Sequence, residues 1–248
     1  MALNDVRPIR RIQRRAAAGY DADAWPYHLP PVRRLLADGL DLPAGVTFLV
    51  GENGAGKSTI VEAVAAAADL NAEGGSRNAR HTTRVSESPL HEALQLVRSP
   101  GAPRWAYFLR AETMHGLYTY LEGVGSGPRL HDMSHGESFL EVLSRHFDEP
   151  GFYVLDEPEA ALSFTSCLAL VELLDRLARA GAQVLCATHS PLLTALPGAT
   201  ILQLDDDGLT PTAWEDLELV GHWRTYLRDP RSYLRHVLAE EPGPDRRS

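Results

Sequence analysis

Val46-Thr47-Phe48-Leu49-Val50-Gly51-Glu52-Asn53-Gly54-Ala55-Gly56-Lys57-Ser58-Thr59 decides the reading of this chain. Its first five residues form a short apolar run that stops at glycine, the mark of a buried strand. Gly51 to Ser58 then fits G-x-x-x-x-G-K-[ST], the phosphate-loop pattern. Glycines let backbone N–H groups converge on phosphate oxygens, and the start of the following helix adds positive potential. Lys57 is the sole lysine of the chain; every other basic residue is arginine. A compact ammonium on a thin stem reaches between β- and γ-phosphates inside such a loop, where a planar guanidinium fork is too wide. A general preference for arginine explains the other basic positions but not this exception. Ser58 places a hydroxyl where Mg²⁺ accompanies a triphosphate.

Working outward, strand and helix patterns alternate. An alanine-rich helix is expected from Lys57 to about Ala68. A polar, glycine-containing loop covers residues 71–89, and a strand runs over Trp105–Leu109. Residues 122–132 read as flexible, and apolar residues at 139, 140, 143 and 147 give helical spacing over 136–147. Phe152–Leu155 is a strand that ends in two acids. A helix is expected from Pro158 to Arg179, stopped by Gly181. Val184–Ala187 and Thr200–Leu204 are further strands, and the last 30 or so residues read as one or two helices with a polar tail. Such alternation means a mainly parallel sheet with helices on both faces. Ligands of such sheets lie at the carboxyl ends of the strands.

Each remaining motif follows one of these strands. Asp156 can hold Mg²⁺, directly or through water, and Glu157 beside it can deprotonate an attacking water. The same two acids could instead mark a strand end reaching solvent, or serve the next helix N-terminus. His189, after the strand 184–187, can hydrogen-bond a γ-phosphate or be a structural histidine. Ser134 opens the helix 136–147, as an N-cap with Glu137 completing a capping box, or as part of an anion site.

Bulk properties narrow the classes. With 44% apolar and 23% charged residues the chain reads as an ordinary globular domain with room for a substantial core. No apolar run approaches the roughly 18 to 20 residues that span a bilayer. The N-terminus lacks an apolar signal core, so the expectation is a cytoplasmic protein. Cys167 and Cys186 lie in apolar segments and read as buried thiols, not a disulfide. A net charge of −9 does not support nucleic-acid binding by the whole chain. Only Arg7, Arg10, Arg11, Arg14 and Arg15 offer a basic segment, read as a terminal arm over residues 1–19.

The glycine loop, the serine-glycine element, Leu155-Asp156-Glu157-Pro158 and the strand-end histidine, in this order, resemble an ABC-type ATPase. The variant is similar to the soluble, AAA-labelled ATPases near the heads of chromosome-maintenance proteins, more than to transporter subunits. The resemblance implies an α/β P-loop NTPase fold: an ABC-type nucleotide-binding domain over residues 20–220, with a small helical signature subdomain at about 111–150. Residues 221–248 follow as a C-terminal helix and tail. It implies ATP cradled by Gly51, Glu52, Asn53, Gly54, Ala55, Gly56, Lys57, Ser58 and Thr59, with Mg²⁺ at Ser58 and Asp156. Glu157 would be the general base, His189 the switch histidine and Lys57 the phosphate grip. Ser134 and Gly136 would contact ATP held by a second subunit, which implies a homodimer with ATP sandwiched between chains.

The chain departs from the family pattern where His135, Gly136 and Glu137 replace two glycines and a glutamine. The usual glutamine after the second strand is also missing, and Glu112 or Arg110 is expected in that metal-sensing place. For the adenine, Trp25 and Tyr27 are candidates to stack on the base, or else pack in the fold. The leading expectation is a soluble ATPase coupled to an unknown protein partner. Alternatives are the ATP-binding subunit of a membrane transporter, a slow nucleotide switch, and a DNA-repair head supported only by the basic segment.

Overall fold

The computed structural model describes residues 7–71, 75–76, 88–111, 141, 143 and 149–238. Two sheets organise them. The larger has seven strands in the order β10-β9-β3-β8-β7-β6-β4: β3 is Gly45–Gly51, β4 Gly75–Ser76, β6 Ala106–Arg110, β7 Phe152–Asp156, β8 Gln183–Ala187, β9 Thr200–Asp205 and β10 Gly208–Pro211. Its five central strands pair in parallel, and only the edge pairs β9–β10 and β4–β6 are antiparallel. The smaller sheet is antiparallel, in the order β2-β1-β5, with β1 Arg11–Arg14, β2 Leu40–Asp41 and β5 Leu94–Val97.

Because successive side chains of a strand point to opposite faces, a parallel sheet covered on both sides needs apolar residues throughout. The central strands supply them. Phe48, Tyr153, Leu155, Val184 and Cys186 face one core, and Leu49, Val154, Leu185 and Ala187 face the other. The first core is closed by helix α3 (Phe164–Arg179) through Leu170, Leu173, Leu174 and Leu177. The second is closed by α1 (Pro30–Asp38) and α2 (Lys57–Ala67), with Ile60, Val61 and Val64 of α2 buried. Helices α4 (Glu218–Arg228) and α5 (Pro230–Val237) end the described chain, as the sequence pattern led us to expect.

The strands expected at 46–50, 105–109, 152–155, 184–187 and 200–204 are present within a residue or so of their expected ends. Three elements differ, the first being the loop expected over 71–89, which holds the two-residue strand β4 and otherwise lies mostly outside the described residues. The helix expected from Pro158 is a 3₁₀ turn over Pro158–Ala161, and the α-helix proper begins at Phe164. The cause is Ser163, whose side chain accepts from Ser166 N and caps a new helix start. Gly181, at φ 89°, ends that helix as expected.

Residues 11–14, read as basic arm, are a strand. Ile9 and Ile12 are fully buried beneath an arginine-bearing outer surface. Gln183 ties this segment to the main sheet: its Oε1 accepts from Ile9 N at 2.9 Å, and its Nε2 donates to Ile9 O and Pro43 O, each at 2.8 Å. Both cysteines are buried free thiols, as expected. The expected flexible stretch 122–132, the helix 136–147 and the signature subdomain fall almost wholly outside the described residues.

Candidate functional site

Four neighbouring strands deliver the motif residues to one edge of the sheet. Their order is β3-β8-β7-β6, and their register pairs Leu49 with Ala187, Ala187 with Asp156, and Asp156 with Arg110. β8, β7 and β6 therefore stop at one level, and β3 runs two residues further, to Gly51. Two bonds carry the lattice past the strands: Thr188 N donates to Leu49 O at 3.1 Å, and Glu157 N to Ala187 O at 3.0 Å.

Two glycines shape the loop after β3. A Cβ on Gly51 would stand 2.4 Å from Leu204 O, so the adjacent strand excludes any side chain there. Gly56 has φ 94°, a left-handed value that glycine adopts freely, and it turns the loop directly into α2. Lys57, the first residue of α2, is 4% exposed. Its Nζ donates to Gly51 O at 2.8 Å and Glu52 O at 3.0 Å, so the ammonium is held by the rim of its own loop. Burial pushes its pKa down, while Glu157, Asp156, Glu52 and Glu159 push it part of the way back.

Ser58, Thr59, Lys57 and Glu157 line a depression of about 240 Å³, with Trp25 at its side. A second depression of about 410 Å³, lined by Gly51, Glu52, Gln203, Asp205 and His189 among others, shares Asn53 and Gly54 with the first. Of the two aromatic candidates, Trp25 is 55% exposed beside the loop. Tyr27 is core: it is stacked on Tyr20 with ring centroids 4.5 Å apart, and its hydroxyl donates to Pro89 O.

At the end of β7, Asp156 is buried and Glu157 is half-exposed. Glu157 adopts φ 48° and ψ 50°, a left-handed conformation uncommon for a residue with a side chain. That turn swings its carboxylate toward the next strand end, where Glu157 Oε1 stands 3.4 Å from His189 Nε2. His189 is placed by its backbone. Its N–H and the Thr188 hydroxyl both donate to Glu159 Oε1, each at 2.6 Å. On the other flank, the Arg110 guanidinium meets Asp156 Oδ2 at 3.3 Å and also pairs with Glu62 of α2.

The structure thus brings together Gly51 to Thr59, Asp156, Glu157 and His189. Ser134, Gly136 and Glu112 lie outside the described residues. Sequence reading did not find Glu62 or Glu159. Glu62 carried a signal, because it follows Ser58 by one helical turn and shares its face. Glu159 carried little, being one acid in a run of acids.

Among the described residues, no group of three or more histidines, cysteines or acids is arranged to hold a metal ion unaided. A hydroxyl at Ser58 and one carboxylate at Asp156 suit a different cation: Mg²⁺, which keeps much of its water and takes its other oxygens from bound phosphates.

Two family models match the chain. One is described as "AAA domain, putative AbiEii toxin, Type IV TA system" and covers residues 129–195; the other, an AAA domain, covers residues 37–93. The hemin import ATP-binding protein HmuV of Burkholderia mallei is 30% identical over 210 residues, which span 67% of this chain and 76% of that protein. The chain belongs to the ABC-type ATP-binding proteins. As an ABC-type P-loop ATPase domain it also matches larger relatives in part. Protein SNQ2 of Saccharomyces cerevisiae is 27% identical over 65% of this chain, and the ABC ATPase spans only 13% of SNQ2's length. Against the SMC head domain from Thermotoga maritima it aligns at 18% identity with a TM-score of 0.44, over 71% of this chain and 93% of that one. No helix among the described residues of the ABC ATPase is long and apolar enough to cross a membrane.

Proposed function

We propose that this ABC ATPase binds Mg-ATP and hydrolyses it to ADP and phosphate with Glu157 as general base. The observation that supports this most is the Glu157–His189 pair, 3.4 Å apart, beside the depression that Lys57 and Ser58 line. In this reading the backbone of Gly51 to Gly56 cradles the phosphates, and Lys57 leaves its loop carbonyls to grip the β- and γ-phosphates. Ser58 and Asp156 hold Mg²⁺, which neutralises charge on the phosphate oxygens when bound. Glu157 takes a proton from a water as its oxygen bonds to the γ-phosphorus, and the bond to the β-phosphate oxygen breaks as ADP leaves. His189 orients Glu157 and hydrogen-bonds the γ-phosphate. Trp25 stacks on the adenine.

The catalytic cycle we propose runs in the cytoplasm, in a head-to-tail homodimer. Ser134 and Gly136 of one chain contact the ATP of the other, and Glu112 adds to the metal environment. The dimer couples hydrolysis to a protein partner. The experiment is light scattering on Glu157→Gln protein with and without Mg-ATP. The mass is expected to double only with nucleotide. A protein saturated with Mg-ATP that remains monomeric contradicts the sandwich.

A second reading is favoured by one finding, the likeness to an ATP-binding protein of hemin import. In that reading the chain drives a membrane partner. Recovery of the protein in a stable complex with a membrane-embedded subunit would favour it over the free homodimer.

A further inference from the structure

The strand β6 ends in a permanent cation, Arg110. Arg110 lies directly beside Asp156 in the parallel register of β6 and β7. Its Nε stands 3.3 Å from Asp156 Oδ2, and its Nη1 donates to Glu62 Oε1. The three side chains are sheltered, with exposures of 21% for Arg110, 16% for Glu62 and 4% for Asp156. Charges in such surroundings are screened far less than on an open surface. Glu62 follows Ser58 by one turn on the same face of α2. The guanidinium therefore joins the helix that carries Ser58 to the strand that carries Asp156, the two residues proposed to hold Mg²⁺.

We infer that Arg110 is a built-in counter-charge to Asp156 that sets how strongly nucleotide binding depends on a divalent cation. The inference rests on the Mg-ATP reading above and deepens it. Its sign follows from two effects. A fixed positive charge beside Asp156 repels a second cation, so it weakens Mg²⁺. The same charge offsets the carboxylates around the loop, so it lets a bare triphosphate approach without Mg²⁺. Both effects lower the ratio of the ATP dissociation constant in EDTA to that in excess Mg²⁺. Arg110 acts here as a positioning and charge-setting residue; no contact with the phosphates is required.

The test is that ratio, measured by equilibrium dialysis with a slowly hydrolysed ATP analogue. Wild type, Arg110→Gln, Arg110→Lys and Glu62→Gln are compared, each checked for folding by circular dichroism. Loss of a unit charge 3.3 Å from the Asp156 carboxylate is expected to raise the ratio about tenfold in Arg110→Gln. Arg110→Lys keeps the charge and is expected to stay within about threefold of wild type. Glu62→Gln removes one carboxylate that offsets the Arg110 charge and is expected to lower the ratio. Folded Arg110→Gln protein that binds Mg-nucleotide with an unchanged ratio overturns the inference and leaves the Mg-ATP reading standing. If Arg110→Gln does not fold, Glu62→Gln decides, and an unchanged or raised ratio overturns the inference. A wild type that binds no nucleotide with Mg²⁺ overturns the Mg-ATP reading and this inference with it.

Discussion

Glu159 Oε1 accepts two short hydrogen bonds from the loop that carries His189, one from His189 N and one from the Thr188 hydroxyl, both at 2.6 Å. A charged acceptor on two donors is strong and directional. It fixes the backbone at His189, whose ring then meets Glu157 at 3.4 Å. The first expected outcome concerns this anchor. Glu159→Ala should lower kcat by about tenfold or more, because small misplacements of a reacting group are costly. The affinity for ATP should change little, since Glu159 does not line the phosphate depression. Glu159→Gln keeps an acceptor oxygen and should recover most of the rate. Steady-state kinetics and nucleotide binding on both variants check this, and an unaltered kcat in Glu159→Ala would remove the anchor role.

Stability depends on a buried polar group in β8. Gln183 is 1% exposed and serves the Ile9 and Pro43 backbones from within β8. Replacing it with leucine leaves a buried N–H and carbonyls without partners, each costing about 1–3 kcal/mol. Gln183→Leu should therefore lose about 3 kcal/mol against urea, with the N-terminal strand becoming the first segment to exchange its amides. A midpoint equal to wild type would show that other contacts alone hold β1 in place.

The buried thiol of Cys186 predicts an alkaline weakness. Burial pushes its pKa well above the ordinary 9.0, with Glu159 and Asp156 adding to the shift. The unfolded thiol ionises near its ordinary value while the folded one stays protonated. Above pH 9 the folded state thus binds more protons, and stability falls as pH rises, by up to about 1.4 kcal/mol per unit. Below that pH the contribution is fully present. Tyr27, also raised by burial, adds the same sign above pH 10. Urea titrations at pH 8 and pH 10 should show a smaller loss for Cys186→Ala than for wild type. Equal losses would assign the slope to other groups.

Much of the large sheet was readable because its strands are apolar on both faces and stop at glycine, acid or histidine. A four-residue apolar run such as Phe152–Leu155 with its terminal Asp156 has few alternatives. The phosphate loop was readable because its spacing is a chemical requirement. β1 was not. Arg10, Arg11, Arg14 and Arg15 give that segment the look of a solvated arm, and pairing with β2 and β5, helped by the buried Ile9 and Ile12, makes it a strand. A short polar strand is decided by distant partners, not by its own pattern. The break after Pro158 turned on the cap at Ser163, which starts a new helix at Phe164. At the site, single positions were legible and pairings were not. That Arg110 faces Asp156 follows from the register of β6 on β7, and that Glu159 reaches the His189 loop follows from a 3₁₀ turn.

The most direct test of the account is phosphate release from ATP by wild-type and Glu157→Gln protein, with retained nucleotide measured in the same samples. The account predicts steady Mg²⁺-dependent release by wild type. It predicts release slowed by on the order of 10² to 10⁴ in the variant, with ATP still bound. Release at the wild-type rate by Glu157→Gln protein would contradict Glu157 as the base and, with it, the proposed mechanism.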